Sequence, residues 1–121
     1  VLDTDSHHLV IRVSWVFGPA KPSFADSIIT RALESDHLEA IADKWSCLTS
    51  AMECAAWLAP FLHGDLPGGL YHACNAGRTS WHEFGTYALE CAAAAGLPVR
   101  TTSITPVTLA SMRSFHAQRW I

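Results

Sequence analysis

His8-Leu9-Val10-Ile11-Arg12-Val13-Ser14-Trp15-Val16-Phe17 is dense in β-branched and aromatic residues and apolar on both faces, the pattern of a buried parallel strand with helices packed on each side. Gly18-Pro19 then stops it, since proline has no N–H to give to a ladder. Downstream, Phe24, Ala25, Ile28, Ile29, Ala32 and Leu33 recur at helical spacing, with Asp26, Arg31 and Glu34 on the other side, which predicts an amphipathic helix of about three turns. Leu38 to Ala42 is short and apolar and reads as a second strand, followed by a polar loop from Asp43 to Ser46. Ser50 and Glu53 have capping-box spacing, so a helix is expected to start there and to kink or end around Pro60. Leu66-Pro67-Gly68-Gly69 is a turn and Leu70 to Cys74 a third strand. Ser80 and Glu83 form a second capping box, and Trp81, Phe84, Ala88, Cys91 and Ala95 carry a helix to Gly96 and Pro98. Val99 to Ile104 can be extended, and Thr105-Pro106 looks like the N-cap and first residue of a further helix. Strands alternating with helices define an α/β fold with a few mostly parallel strands and flanking helices.

A length of 121 residues suits one compact domain, residues 1–121. Half of the residues are hydrophobic and only 16% are charged, which points either to apolar surface meeting a partner or to an alanine-rich helical core. The net charge of −3, with eight Lys and Arg scattered singly, offers no basic stripe for nucleic acid. The longest apolar run, Ala55 to Leu62, contains Pro60 and falls far short of the ~20 residues that span a bilayer. No basic region followed by an apolar stretch opens the sequence. Cys47, Cys54, Cys74 and Cys91 are separated by six, nineteen and sixteen residues, without the close pairs of a metal or redox site, and are expected as buried free thiols in a reducing cytoplasm. His7 and His8 would point to opposite faces of a strand and could not share a metal. No glycine-rich turn follows a strand and opens a helix, so no dinucleotide fingerprint is present. The abrupt start in a strand lead-in and the end at Trp120-Ile121 suggest a piece of something longer.

Four blocks, in order, resemble the dTDP-4-dehydrorhamnose reductase family of extended short-chain dehydrogenases. Arg12-Val13-Ser14-Trp15-Val16-Phe17-Gly18-Pro19 resembles its R-x-S-W-V-[YF]-G-P strand, and Asp43-Lys44-Trp45-Ser46-Cys47-Leu48-Thr49-Ser50 resembles its D-Q-x-G-x-P-T-S loop. Gly69-Leu70-Tyr71-His72 with Thr79-Ser80-Trp81-His82-Glu83-Phe84 resembles the G-[IL]-Y-H strand and S-W-x-E-F helix start, and Ala117-Gln118-Arg119-Trp120 stands where the family has A-x-R-P. Lys44, Ser46, Leu48 and Trp120 depart from the family's Gln, Gly, Pro and Pro. Three of these departures fall in one loop expected near the sugar nucleotide.

The resemblance implies the C-terminal, substrate-binding part of a Rossmann-type reductase. The N-terminal dinucleotide-binding domain, with its glycine-rich turn and catalytic Tyr-x-x-x-Lys, would lie upstream and be the partner of this chain. NADPH or NADH would serve the parent, with none bound tightly here, no metal, and no catalytic residue in the chain itself. In the family this strand ends at the cleft where nicotinamide and sugar meet, in agreement with the rule that open α/β sheets bind ligands beyond the carboxyl ends of their strands, so the resemblance implies that Ser14, Trp15 and Val16 lie near the reaction centre. The Trp15 indole would stack on the hexose and donate one hydrogen bond. Lys44 and Arg119 would meet the pyrophosphate by charge-assisted hydrogen bonds, with Trp45 beside them. Thr49 would contact the ligand at a helix start where Ser50 caps. Arg12 is expected to be buried and paired, Trp81 to pack across its helix start, and His72, His82 and His116 to be ordinary surface or core histidines. A homo-oligomer is among the expected partners, and the alternatives within the superfamily are a non-catalytic binding or regulatory protein like the regulatory subunits of methionine adenosyltransferase, and a nucleotide-sugar epimerase or dehydratase.

Overall fold

The computed structural model describes residues 8–112. In chain order its elements are β1 (Leu9–Val13), β2 (Trp15–Phe17), α1 (Phe24–Glu34), β3 (Leu38–Ile41), β4 (Trp45–Ser46), β5 (Leu48–Ser50), α2 (Ala51–Leu62), β6 (Gly69–Ala73), β7 (Thr79–Ser80), α3 (Trp81–Ala94), β8 (Ile104–Val107) and a single 3₁₀ turn, Leu109–Ser111. They fall into two compact units. The first takes the chain through Lys21 and Ser46–Arg78, and the second takes Pro22–Trp45 and the chain from Thr79 onward.

In the first unit the single long strand expected over His8 to Phe17 is two strands, because the chain changes partner at Ser14. β1 runs parallel to β6, from Leu9 opposite Gly69 to Val13 opposite Ala73, and β2 runs parallel to β5, with Trp15, Val16 and Phe17 opposite Leu48, Thr49 and Ser50. The stretch is not buried throughout: Val13 and Val16 are 47% and 44% exposed. Hydrophobicity marked the segment as β, whereas the partner of each half depends on residues far away in sequence.

β5 leads directly into α2. Gly18, in the turn that ends β2, lies so close to this helix start that a Cβ on it would sit 2.9 Å from the Cβ of Ala51, so only glycine fits. Ser50 is the N-cap residue, but its hydroxyl makes no capping bond. The expected box is absent because the Glu53 carboxylate instead accepts a hydrogen bond from Asn75 Nδ2 at 3.1 Å. Nor does the helix stop at Pro60; it runs to Leu62 and closes with the His63 N–H donating to Ala59 O at 3.1 Å. Tyr71 fastens β6 to α2, its ring packed edge-on against Phe61 at 4.6 Å and its hydroxyl donating to Pro67 O at 2.9 Å.

In the second unit α1, β3 and α3 match their sequence patterns. Ile28 and Ala32 of α1 are buried and join Leu38, Ala40, Leu89 and Ile104 in one core, with Phe24 and Val99 packed against it. At the start of α1 the Asp26 carboxylate accepts hydrogen bonds from the Ser23 hydroxyl at 2.6 Å and the Ser23 N–H at 2.7 Å. The capping box of α3 is present as expected, with the Glu83 N–H donating to Ser80 Oγ at 3.1 Å and the Ser80 N–H to Glu83 Oε2 at 3.0 Å. Gly85 of α3 faces the core, where a Cβ would lie 3.1 Å from Ile104 Cδ1 and 3.5 Å from Ile28 Cγ1, which lets α3 seat closely. Gly96, at φ +81°, ends this segment in the left-handed conformation that glycine tolerates.

Thr105-Pro106 does not open a helix. Both residues belong to β8, which runs parallel to β3 with Pro106 opposite Ala40, and the cap residue is Thr108, whose hydroxyl accepts from Ser111 N–H. A proline is tolerated because β8 has β3 as its one partner among the described residues. Arg100 ties the returning chain to the end of α1. Its backbone N–H donates to Ala32 O at 2.7 Å, and its guanidinium holds Asp36 through two bonds of 2.9 and 3.0 Å and Glu34 O through one of 2.9 Å, covering carbonyls that a helix end leaves open. The cysteines are unpaired but not buried: Cys74 and Cys91 are exposed, and Cys47 and Cys54 are half-buried.

Candidate functional site

The residues singled out at the strand ends fall into two groups, one in each unit. In the first unit, β2 and β5 are parallel, so their carboxyl ends lie side by side at the start of α2. Ser14 and Trp15 are half-buried and Val16 is exposed. Side chains alternate along a strand, which puts Trp15 with Leu48 on one face and Val16 with Thr49 on the other. Thr49 is fully buried, and its hydroxyl has no hydrogen-bond partner among the described residues. Leaving a buried hydroxyl unsatisfied costs about 1–3 kcal/mol. Arg12 corrects an expectation: it is exposed, opposite His72, because it lies in the half of β1 that is left open.

In the second unit, Lys44 and Trp45 follow the carboxyl end of β3. Asp43 anchors this loop, its carboxylate accepting the Leu109 N–H at 2.7 Å. The Lys44 ammonium lies over the Trp81 ring, 4.9 Å from its centroid, and Trp81 in turn packs on Phe24 at 5.3 Å. Trp45 is exposed. Arg119 and His116 lie outside the described residues. Trp81 is the residue that sequence reasoning missed: it packs as expected, but it also carries a cation. Of the histidines, His72 is exposed and His82 shares a hydrogen bond of 2.9 Å between Nε2 and Ile104 O.

Each unit also contains a hollow away from these residues. One of about 300 Å³ lies among Ile11, Trp57, Phe61 and Tyr71, and one of about 450 Å³ among His82, Thr86, Glu90 and Thr101. Among the described residues no cluster of His, Cys, Asp or Glu could hold a metal ion, and no helix is long and apolar enough to cross a membrane. Among the described residues three strands lead into helices: β2 through Gly18-Pro19-Ala20-Lys21-Pro22-Ser23 into α1, and β5 and β7 directly into α2 and α3. None of these junctions has the several glycines that bring backbone onto a dinucleotide pyrophosphate, so their residues do not fit a nicotinamide cofactor's phosphates.

Parallel strands running into flanking helices give the chain a Rossmann-type α/β fold, the fold of its solved structural neighbours. More narrowly, it belongs to the RmlD substrate binding domain family, whose model matches residues 1–119. The chain is 30% identical to the dTDP-4-dehydrorhamnose reductase of Escherichia coli K12 over 104 residues, 83% of this chain and 35% of that protein. It is 31% identical to the spore coat polysaccharide biosynthesis protein SpsK of Bacillus subtilis over 103 residues, 84% of this chain and 34% of that one. It thus spans about a third of the length of these relatives. Among solved structures, the dTDP-4-dehydrorhamnose reductase of Bacillus anthracis in complex with NADP superposes with a TM-score of 0.78 at 22% identity, over 91% of this chain and 37% of that one.

Proposed function

We propose that the chain is the sugar-nucleotide-binding portion of an NAD(P)H-dependent reductase that acts on a dTDP-linked 4-keto-6-deoxyhexose. In this reading residues 1–121 serve as the C-terminal domain of a larger cytoplasmic protein. The observation that carries the reading is the family match over residues 1–119, with Ser14-Trp15 directly after the carboxyl end of β1, a parallel strand, where α/β folds bind ligands. In this reading Ser14, Trp15, Val16, Lys44, Trp45, Thr49 and Arg119 are the residues that contact the nucleotide sugar. Hydride donor, proton-donating Tyr and its Lys belong to the parent's dinucleotide-binding domain. This chain binds and orients substrate and does not catalyse alone.

Calorimetric titration of the chain with dTDP-rhamnose and with NADPH tests the assignment. Saturable 1:1 binding of dTDP-rhamnose without tight binding of NADPH is expected. Absence of dTDP-rhamnose binding at millimolar concentration overturns the substrate role. A micromolar dissociation constant for NADPH shows instead that the cofactor site has been misplaced.

A further inference from the structure

Lys44 stands where the D-Q-x-G-x-P-T-S loop of the resembling reductases has glutamine, so its charge is a property of this chain. An unpinned lysine at that place would sweep a wide volume, since its four-carbon stem has many rotamers. Here the ammonium rests 4.9 Å from the centroid of the Trp81 ring, within the range of a cation–π attraction. The ring is itself fixed. Trp81 is the first residue of α3, directly behind the reciprocal Ser80–Glu83 capping box, and it packs on Phe24 at 5.3 Å. The loop is fixed too, through the bond from the Leu109 N–H to Asp43 at 2.7 Å. No carboxylate among the described residues lies within ion-pair distance of Lys44. A π face takes up one side of an ammonium and leaves N–H donors for another acceptor. The result is a half-buried, pre-oriented cation without an anionic partner among the described residues, three residues beyond Ile41 at the carboxyl end of β3, where ligands of such folds are met.

We infer that Trp81 is a positioning residue for Lys44, and that the pair forms a diphosphate-recognising element of the nucleotide-sugar site. This rests on the proposed substrate role and adds a residue and a mechanism to it: the ring holds the ammonium ready, so little side-chain entropy is lost when the anion arrives.

The chain has two lysines, Lys21 and Lys44, so reductive ¹³C-methylation gives two readily separated lysine signals by NMR. The Lys44 methyl signal is expected upfield of that of Lys21, from the ring current of Trp81. Thymidine diphosphate should move the Lys44 signal and leave Lys21 in place, inorganic pyrophosphate should move it more weakly, and thymidine should leave it unmoved. Trp81→Leu should bring the Lys44 signal to the Lys21 position and weaken thymidine diphosphate binding ~3–10-fold, whereas Trp81→Phe, which keeps an aromatic face, should retain most of both. Amide spectra of each variant establish that the fold persists. Should Trp81→Leu unfold the chain, Lys44→Gln gives the same test of affinity. Thymidine diphosphate bound with Lys44 unmoved, or bound equally well by Trp81→Leu, overturns the inference and leaves the proposed function standing. Movement with pyrophosphate but not with thymidine diphosphate overturns it in favour of a plain phosphate site. If neither thymidine diphosphate nor dTDP-rhamnose binds, both fall together.

Discussion

Trp15 concentrates the question of what a single side chain contributes. It is half-buried at the start of β2, opposite Leu48, so it can wall a ligand or fill a core, and one substitution separates the two. Trp15→Phe keeps an aromatic of similar shape but loses the indole N–H, and a hydrogen bond contributes about 0.5–1.5 kcal/mol. Affinity for dTDP-rhamnose should fall about threefold to tenfold with the melting temperature nearly unchanged. A large drop in melting temperature with unaltered affinity would mark Trp15 as packing only. Asp26 gives a second residue-level expectation. Hydrogen bonds from the Ser23 hydroxyl and then the Ser23 N–H hold its pKa below the ordinary 3.8. Because the folded value is depressed, the stabilisation is present above the unfolded value and disappears as pH falls through the folded one. Asp26→Asn should therefore lower stability at pH 7, and the gap from wild type should close as the pH is taken below 3.8, as read by urea unfolding at several pH values. A gap of equal size at all pH values contradicts the assignment. The motif resemblance made Ser14, Trp15 and Lys44 legible as candidates. The Lys44–Trp81 contact was not legible, because nothing local in the sequence brings a loop after β3 onto the first turn of α3.

At the scale of elements, the local signals succeeded where local physics decides. α1, β3 and α3 follow from apolar spacing and caps, since the residues that specify them sit within the element itself. The errors occurred where distant partners decide. The stretch from His8 to Phe17 divides at Ser14 because its halves pair with β6 and β5, and Thr105-Pro106, a good helix start in isolation, is drawn into β8 by pairing with β3. The two capping boxes read from the sequence make the contrast measurable. At Ser80 the box is formed; at Ser50 the hydroxyl caps nothing and Glu53 is engaged by Asn75. Ser80→Ala should cost about 1 kcal/mol, the usual loss for an N-cap, while Ser50→Ala should stay within about 0.5 kcal/mol, as substitutions away from such features do. Chemical denaturation of the two variants checks this, and equal losses would mean that α2 is capped as its sequence suggested.

Across the whole molecule, burial is distributed unevenly between the two units. Every fully buried hydrophobic residue among those described lies in the second unit, on α1, β3, α3 or β8, whereas α2 of the first unit buries none of its residues. Met52 and Leu62 of that helix are 72% and 83% exposed. Regions with few buried apolar contacts open at low free energy, so amide hydrogen exchange should be slowest in α3 and β3 and much faster in α2, β1 and β6. The same exposed apolar surface should make the chain self-associate, because removing it from water contributes roughly 25 cal/mol per Å² and the charge of −3 provides little repulsion. Sedimentation velocity over a concentration series should show the weight-average coefficient rising with concentration. The double substitution Met52→Glu and Leu62→Glu places charge on exposed positions of α2 without touching the core of the second unit, so it should shift the population toward monomer with the melting temperature little changed. If association persists in this variant, the contact lies elsewhere. A wild-type chain that stays monomeric throughout, with one sharp cooperative melt and uniformly slow exchange, would show that the first unit is as well packed as the second and that the open face of α2 carries no tendency to associate.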